Sequence, residues 1–159
     1  MLELLLIGAF MGAVGTAAMD AWALLLSRTA GIALPNWSNV GRWFWHLRTG
    51  TVFHRNFAAA APHRHELLFG WLVHYAVGVI YGAAFVLMAG QAWLDDPTFL
   101  PAWIFGIVTV GAGWFLLQPG MGLGWAASKT PNPWKVRGLN LAAHTVFALG
   151  LWLQALALA

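Results

Sequence analysis

Residues 67–90 read LLFGWLVHYAVGVIYGAAFVLMAG, a run of 24 residues without Asp, Glu, Lys or Arg. The hydrocarbon core of a bilayer is about 30 Å thick, and a helix needs about 20 mostly apolar residues to cross it. The run therefore predicts a transmembrane helix. Three further windows of similar length, at about 3–27, 99–118 and 138–158, are also strongly apolar and predict three more spans.

The composition of the whole chain agrees with this prediction. Of its 159 residues 60% are hydrophobic and 8% are charged, whereas roughly 25% of the residues of a soluble domain are charged. We therefore expect residues 1–159 to form one all-α integral membrane domain, a four-transmembrane-helix bundle. The formal charge of +3 does not indicate a nucleic-acid partner, because the basic residues are scattered through loops and form no basic face. The absence of Cys excludes disulfides and thiolate metal sites.

The distribution of basic residues predicts the orientation of the chain. Lys and Arg accumulate in cytoplasmic loops, and all eight lie in the predicted loops 28–66 and 119–137. The turn between the second and third spans carries Asp95 and Asp96 and no basic residue. We therefore place both loops in the cytoplasm and both termini on the opposite face. The eight residues are Arg28, Arg42, Arg48, Arg55, Arg64, Lys129, Lys135 and Arg137.

The first cytoplasmic loop contains an amphipathic pattern at residues 36–48, NWSNVGRWFWHLR, in which apolar side chains recur at helical spacing. This pattern predicts a short helix lying in the headgroup layer. The residues expected to meet lipid are Arg42, Trp43, Trp45 and Arg48, with Arg42 reaching the phosphates. A structural anchor is favoured over a ligand site.

The same loop ends with His54, His63, His65 and Glu66, a possible metal site. His-x-His can bring two imidazoles together in an extended segment, but a closed site usually takes four ligands. Metal binding is therefore the weaker interpretation of these residues.

Ionisable groups inside the predicted spans point to a further site. Asp20, His74 and His144 each lie six or seven residues from the cytoplasmic end of a span, which is roughly 9–11 Å. Such groups usually face the interior and pair, so we predict that the three converge, with Asn140 and Gln118 nearby. The cluster fits a structural hydrogen-bonded knot, proton or small-ligand chemistry, or a metal or haem site, and the cofactor is unknown.

Small and polar residues recur every four positions in the first two spans, which places each set on one face of its helix. Small residues let helices pack closely in lipid, so we expect these faces to lie against other helices. The positions are Gly8, Gly12, Thr16 and Asp20 in the first span and Gly70, His74, Gly78 and Gly82 in the second.

Five segments of the chain resemble a bacterial membrane-protein family, the domain of unknown function numbered 2938. They are GTAAMD at 15–20, VGRWFWH at 40–46, GWLVHY at 70–75, QPGMGLGWAASKTPNP at 118–133 and AHTVFALGL at 143–151. The resemblance implies a bacterial inner-membrane protein whose activity has not been assigned. It supports the predicted topology and leaves the function open.

The leading interpretation is a small inner-membrane protein whose intramembrane polar cluster binds a small ligand, a proton or a metal. The alternative is a non-catalytic accessory or scaffold subunit, packed against itself or within a larger membrane complex. An enzyme is less favoured, because the sequence contains no recognisable nucleophile with a base.

Overall fold

The computed structural model describes residues 1–159 and is helical throughout, without a β-strand. Four of its helices are long and apolar enough to cross a membrane: Leu2–Ala30, Glu66–Ala89, Phe99–Gly120 and Pro133–Leu158. We refer to them as the first to fourth long helices. The fourth begins at Pro133 instead of 138 because Asn132 caps it, its side-chain oxygen accepting from the Lys135 N–H at 3.1 Å. Proline is well suited to the first turn, where no N–H bond is needed.

Shorter helical elements occupy the connections. The predicted loop helix is confirmed at Trp37–Leu47, and its N-cap Asn36 accepts from the Asn39 N–H at 3.2 Å. A helix at Gln91–Asp95 follows the second long helix, and single 3₁₀ turns lie at Phe57–Ala59 and Trp125–Ala127. In the last of these turns Ala126 and Ala127 have φ of 46° and 60°, a region that residues with a Cβ rarely adopt.

The contacts of the chain divide it into two compact units. The first comprises Met1–Leu34, Tyr75–Thr109 and Ala142–Ala159, and the second comprises Pro35–His74 and Val110–Leu141. The first unit contains the main apolar core, which includes the fully buried Met11, Val86 and Leu151.

Within the first unit the predicted small-residue faces of the first two long helices lie against each other. A Cβ built on Gly8 would lie 2.6 Å from the Gly82 carbonyl oxygen, and one built on Gly78 would collide with the Thr16 hydroxyl. Thr16 is 1% exposed, and its hydroxyl donates a hydrogen bond to the Gly12 carbonyl at 2.8 Å. Glycine is therefore required at this crossing, because the backbones touch directly.

In the second unit the Trp37–Leu47 helix crosses the start of the second long helix. A Cβ on Gly41 would lie 2.6 Å from the Gly70 nitrogen. Trp43, two residues after Gly41, is 1% exposed. Its indole N–H donates to the Val52 carbonyl at 2.8 Å, and its ring packs against Gly120. The expected lipid contact of Trp43 is thus corrected: its indole fills the centre of this unit.

The third long helix is interrupted by a π-helical turn at Gly113–Leu117. Pro119 follows two residues later and has no N–H to donate to the preceding turn. A π-turn widens the helix locally and is frequent at functional sites. It changes the direction of the side chains that follow it, among them Gln118.

Candidate functional site

Two of the residues predicted for the polar cluster, Gln118 and Asn140, meet in the second unit beside the π-turn. The Asn140 Oδ1 accepts from the Gln118 Nε2 and from the Trp114 indole N–H, both at 3.0 Å. Trp114 lies inside the π-turn, and Gln118 is the first residue after it. The third and fourth long helices are therefore joined here through one amide oxygen that uses both of its lone pairs.

The Gln118 side chain is more than nine-tenths buried, and its Oε1 has no hydrogen-bond donor. An unpaired buried acceptor loses about 1–3 kcal/mol relative to one that is satisfied. The amide N–H of Gln118 is already committed to Asn140, so rotating the amide would break that bond. This site therefore presents one buried acceptor that has no donor within the protein.

The other three predicted members each contact a residue outside the predicted cluster. The Asp20 carboxylate accepts from the Tyr75 hydroxyl at 3.0 Å in the first unit. His144, in the same unit, lies 2.9 Å from the Thr109 Oγ1 and 3.0 Å from the Gly106 carbonyl. In the second unit the His74 ring stacks on Trp37, with centroids 3.8 Å apart. The convergence of Asp20, His74 and His144 on one site stays a prediction.

Three of the four residues predicted as a possible metal site, His63, His65 and Glu66, contact one another, and the fourth, His54, has another partner. His54 pairs with His46, whereas His63 stacks on Trp45 with centroids 3.5 Å apart. The backbone N–H of His65 donates to the His63 Nδ1 at 3.2 Å. Nowhere in the chain do three or more His, Asp or Glu side chains form a group that could hold a metal ion.

Glu66 binds the arginine that was expected to reach lipid phosphates. Its two carboxylate oxygens accept from the Arg42 Nε at 2.7 Å and Nη2 at 2.8 Å, and Arg42 also donates to the Ala60 carbonyl at 3.3 Å. The bidentate hydrogen bond raises the pKa of Arg42. Arg42 is thus engaged inside the protein, whereas Trp45 is half-buried and Arg48 is exposed.

A family model described as a protein of unknown function, DUF2938, matches residues 9–158. The chain belongs to the DUF2938 family. No curated protein and no solved structure matches it. The family description assigns no activity, so the function of this DUF2938 protein has to be argued from its own geometry.

One functional candidate of this DUF2938 chain escaped the sequence analysis, the pair formed by His46 and His54. The His46 Nδ1 lies 2.9 Å from the His54 Nε2. The outer nitrogens face carbonyls: His46 Nε2 faces Ala61 at 2.9 Å, and His54 Nδ1 faces Gly120 at 3.1 Å. Carbonyls only accept, so each of these two contacts is a hydrogen bond when the outer nitrogen carries a proton, and the contact between the facing nitrogens needs one further proton. The pair can therefore link Ala61, His46, His54 and Gly120 in one continuous hydrogen-bonded chain.

Proposed function

We propose that this DUF2938 protein is a bacterial inner-membrane protein that binds a small, hydrogen-bond-donating ligand at Gln118. In this proposal the four long helices cross the membrane as a bundle, with loops 28–66 and 119–137 in the cytoplasm. The support is the complete asymmetry of the eight basic residues and the apolar length of the helices.

A single observation supports the ligand site, the unpaired Oε1 of Gln118 beside a π-turn. The acceptor favours a hydroxyl, an amine or an amide N–H over an anion, because a carboxylate or phosphate oxygen would repel it. Trp114 and Asn140 hold the amide in place through the Asn140 oxygen. The ligand would therefore meet an acceptor that is already oriented, which limits the entropy lost on binding.

The test is mass spectrometry of small molecules that co-purify with the protein in native-lipid particles. Gln118→Leu removes the acceptor at nearly constant volume, and we expect it to lose a molecule that the unchanged protein retains. Gln154→Leu is the matched control, because the Gln154 Oε1 is also buried without a donor but lies in the other unit. We expect the control to retain the molecule.

The free energy of unfolding tests the case in which Gln118 binds no ligand. If Gln118 binds nothing, Gln118→Leu removes an unpaired acceptor together with the Nε2 bond to Asn140, just as Gln154→Leu removes an unpaired acceptor together with its Nε2 bonds to the Met11 and Gly150 carbonyls. The gain and the loss then offset each other, and both variants should change the free energy of unfolding by no more than about 1 kcal/mol. Similar free energies of unfolding for both variants, together with no molecule specific to the unchanged protein, would rule the ligand site out.

A second candidate function is a non-catalytic accessory or scaffold subunit, in which the polar pairs of the first unit serve helix packing and not ligand chemistry. The Tyr75 hydroxyl donates to Asp20, and Thr109 contacts His144, so each pair joins two helices. Such bonds stabilise helix association in membranes. This function predicts a defined homo-oligomer or a co-purifying membrane partner after mild extraction. A strictly monomeric protein without a partner would contradict it.

A further inference from the structure

We propose that the second unit carries a separate binding site for an anionic phospholipid, formed by an apolar pocket and Arg48. This inference rests on the membrane placement proposed above, but not on the ligand site at Gln118. We call the two parts together the lipid pocket. It lies where the Trp37–Leu47 helix, the end of the first loop and the first turns of the second long helix meet.

The pocket has a volume of about 340 Å³, within the range of about 300–1,000 Å³ that small-molecule sites occupy. It is lined by Trp45, His63, His65, Leu68, Phe69 and Leu72. Leu68 and Leu72 are 59% and 58% exposed and belong to the first turns of the second long helix. In the proposed orientation this height is the boundary between headgroups and acyl chains. The first carbons of an acyl chain fit such a surface.

Arg48 provides the cationic part. Its guanidinium carbon lies 3.6 Å from the centre of the Trp45 ring, a cation–π contact that holds the group flat. It makes no hydrogen bond or ion pair within the protein. All five N–H donors therefore remain for an external acceptor, and a planar guanidinium binds a phosphate through two parallel bonds.

Trp45 connects the two parts, because its ring contacts both His63 of the pocket and Arg48. His63 stacks on the ring at 3.5 Å and Arg48 at 3.6 Å. Two groups this close to one ring centre have to occupy opposite faces. The guanidinium and His63 thus lie on opposite sides of the indole ring. In a phospholipid the glycerol separates the phosphate from the first acyl carbons in a similar way, so the phosphate would meet Arg48 and the acyl carbons the pocket.

The charge of the loop selects an anionic lipid over a zwitterionic one. Residues 28–66 contain five arginines and one carboxylate, Glu66. Arg42 neutralises that carboxylate through a bidentate pair. The remaining four arginines have no carboxylate partner, and basic residues near the surface attract anionic lipids.

The experiment measures lipid binding by native mass spectrometry of the full chain titrated with phosphatidylglycerol and, separately, phosphatidylcholine. We expect phosphatidylglycerol to bind more tightly, and Arg48→Gln to weaken its binding about 10-fold through loss of the bidentate phosphate contact. Arg55→Gln is the matched control, since it removes the same charge from the same loop without a Trp45 contact. We expect it to weaken binding less than about 2-fold. Equal losses in both variants would reduce the effect to general electrostatics and overturn the proposal.

A second variant tests the apolar part without changing the charge. Leu72→Trp adds volume at an exposed position, so it is compatible with folding. It should weaken phosphatidylglycerol binding about 10-fold by filling the pocket, while Leu68→Ala, which enlarges the pocket, should not. Glycerol phosphate should not compete. Competition by that soluble molecule, or unchanged binding to Leu72→Trp, would refute a lipid site.

Gln118→Leu leaves the lipid pocket intact, so lipid binding by that variant separates this proposal from the ligand site.

Discussion

At the scale of single residues, the His46 and His54 pair makes a definite prediction about protons. Two outer nitrogens face carbonyl oxygens, and two inner nitrogens face each other at 2.9 Å. We expect three protons on the four nitrogens, because two lone pairs or two N–H groups pointing at each other would repel. Nitrogen-15 NMR of labelled imidazoles should show protonated His46 Nε2 and His54 Nδ1 and one proton shared between the inner nitrogens.

His54→Gln provides the control for this measurement. A neutral glutamine offers either a donor or an acceptor to the His46 Nδ1, so the variant needs no extra proton, and the remaining ring should be neutral with its proton on Nε2. A spectrum of the unchanged protein with only two protons on the pair would show that one of the three contacts, the one between the rings or one of the two to carbonyls, is not a hydrogen bond.

The predictability of these residues differs for physical reasons. Gln118 and Asn140 could be found because a polar side chain in an apolar window is costly and needs a partner. The contribution of Trp114, which also donates to Asn140, could not be predicted, because Trp114 lies in the π-turn and such a turn leaves no periodic signal in the sequence. His46 was missed because it lies in an amphipathic helix where a histidine has many ordinary uses.

Trp43 shows a related limit. An apolar face on a short helix predicts burial, but the pattern is the same whether lipid or protein covers the face. The contact with Gly120 decides the question, and it joins residues far apart in the chain.

At the scale of elements, the crossing of the first two long helices should be sensitive to a single methyl group. Gly78→Ala places a Cβ against Thr16, and the rigid backbone of the Gly12 carbonyl lies behind it at 3.2 Å. We expect a loss of about 1–3 kcal/mol in the free energy of unfolding, typical of overpacking. Denaturation in mixed micelles measures it.

Gly138→Ala is the matched control for Gly78→Ala. Gly138 lies in the fourth long helix, and nothing is within 4 Å of a Cβ built on it. There we expect no loss and a gain of up to about 1 kcal/mol, because alanine favours the helix. Similar losses at Gly78 and Gly138 would mean that helix crossing does not explain the glycines of the first two spans.

The elements themselves were predicted to different degrees. The long helices follow from hydropathy because crossing a bilayer imposes length and composition together. Their ends depend on local caps, such as Asn132 before Pro133, that an apolar window does not detect. The left-handed backbone of Ala126 and Ala127 could not be foreseen, since alanine seldom adopts it and the surrounding loop enforces it.

At the scale of the whole molecule, the proposed orientation can be tested by reporter fusions. Fusions after Arg48 and Lys129 should report a cytoplasmic location, and fusions after Asp96 and Ala159 the opposite face, because every Lys and Arg lies in loops 28–66 and 119–137. Replacing the three basic residues of 119–137 by Gln should leave the arrangement unchanged, since loop 28–66 retains five. A cytoplasmic signal after Asp96 would reverse the topology.

The unequal lengths of the long helices bear on how this protein would respond to bilayer thickness. The first long helix has 29 residues and the third has 22, which correspond to about 44 Å and about 33 Å. Hydrophobic mismatch is relieved by tilting a helix or by projecting its ends from the hydrocarbon. In the proposed orientation, the first helix is much longer than the hydrocarbon core of about 30 Å and can span a thicker bilayer, whereas the third is only slightly longer than that core. Thickening would therefore strain the π-turn segment around Gln118 before any other part of the chain.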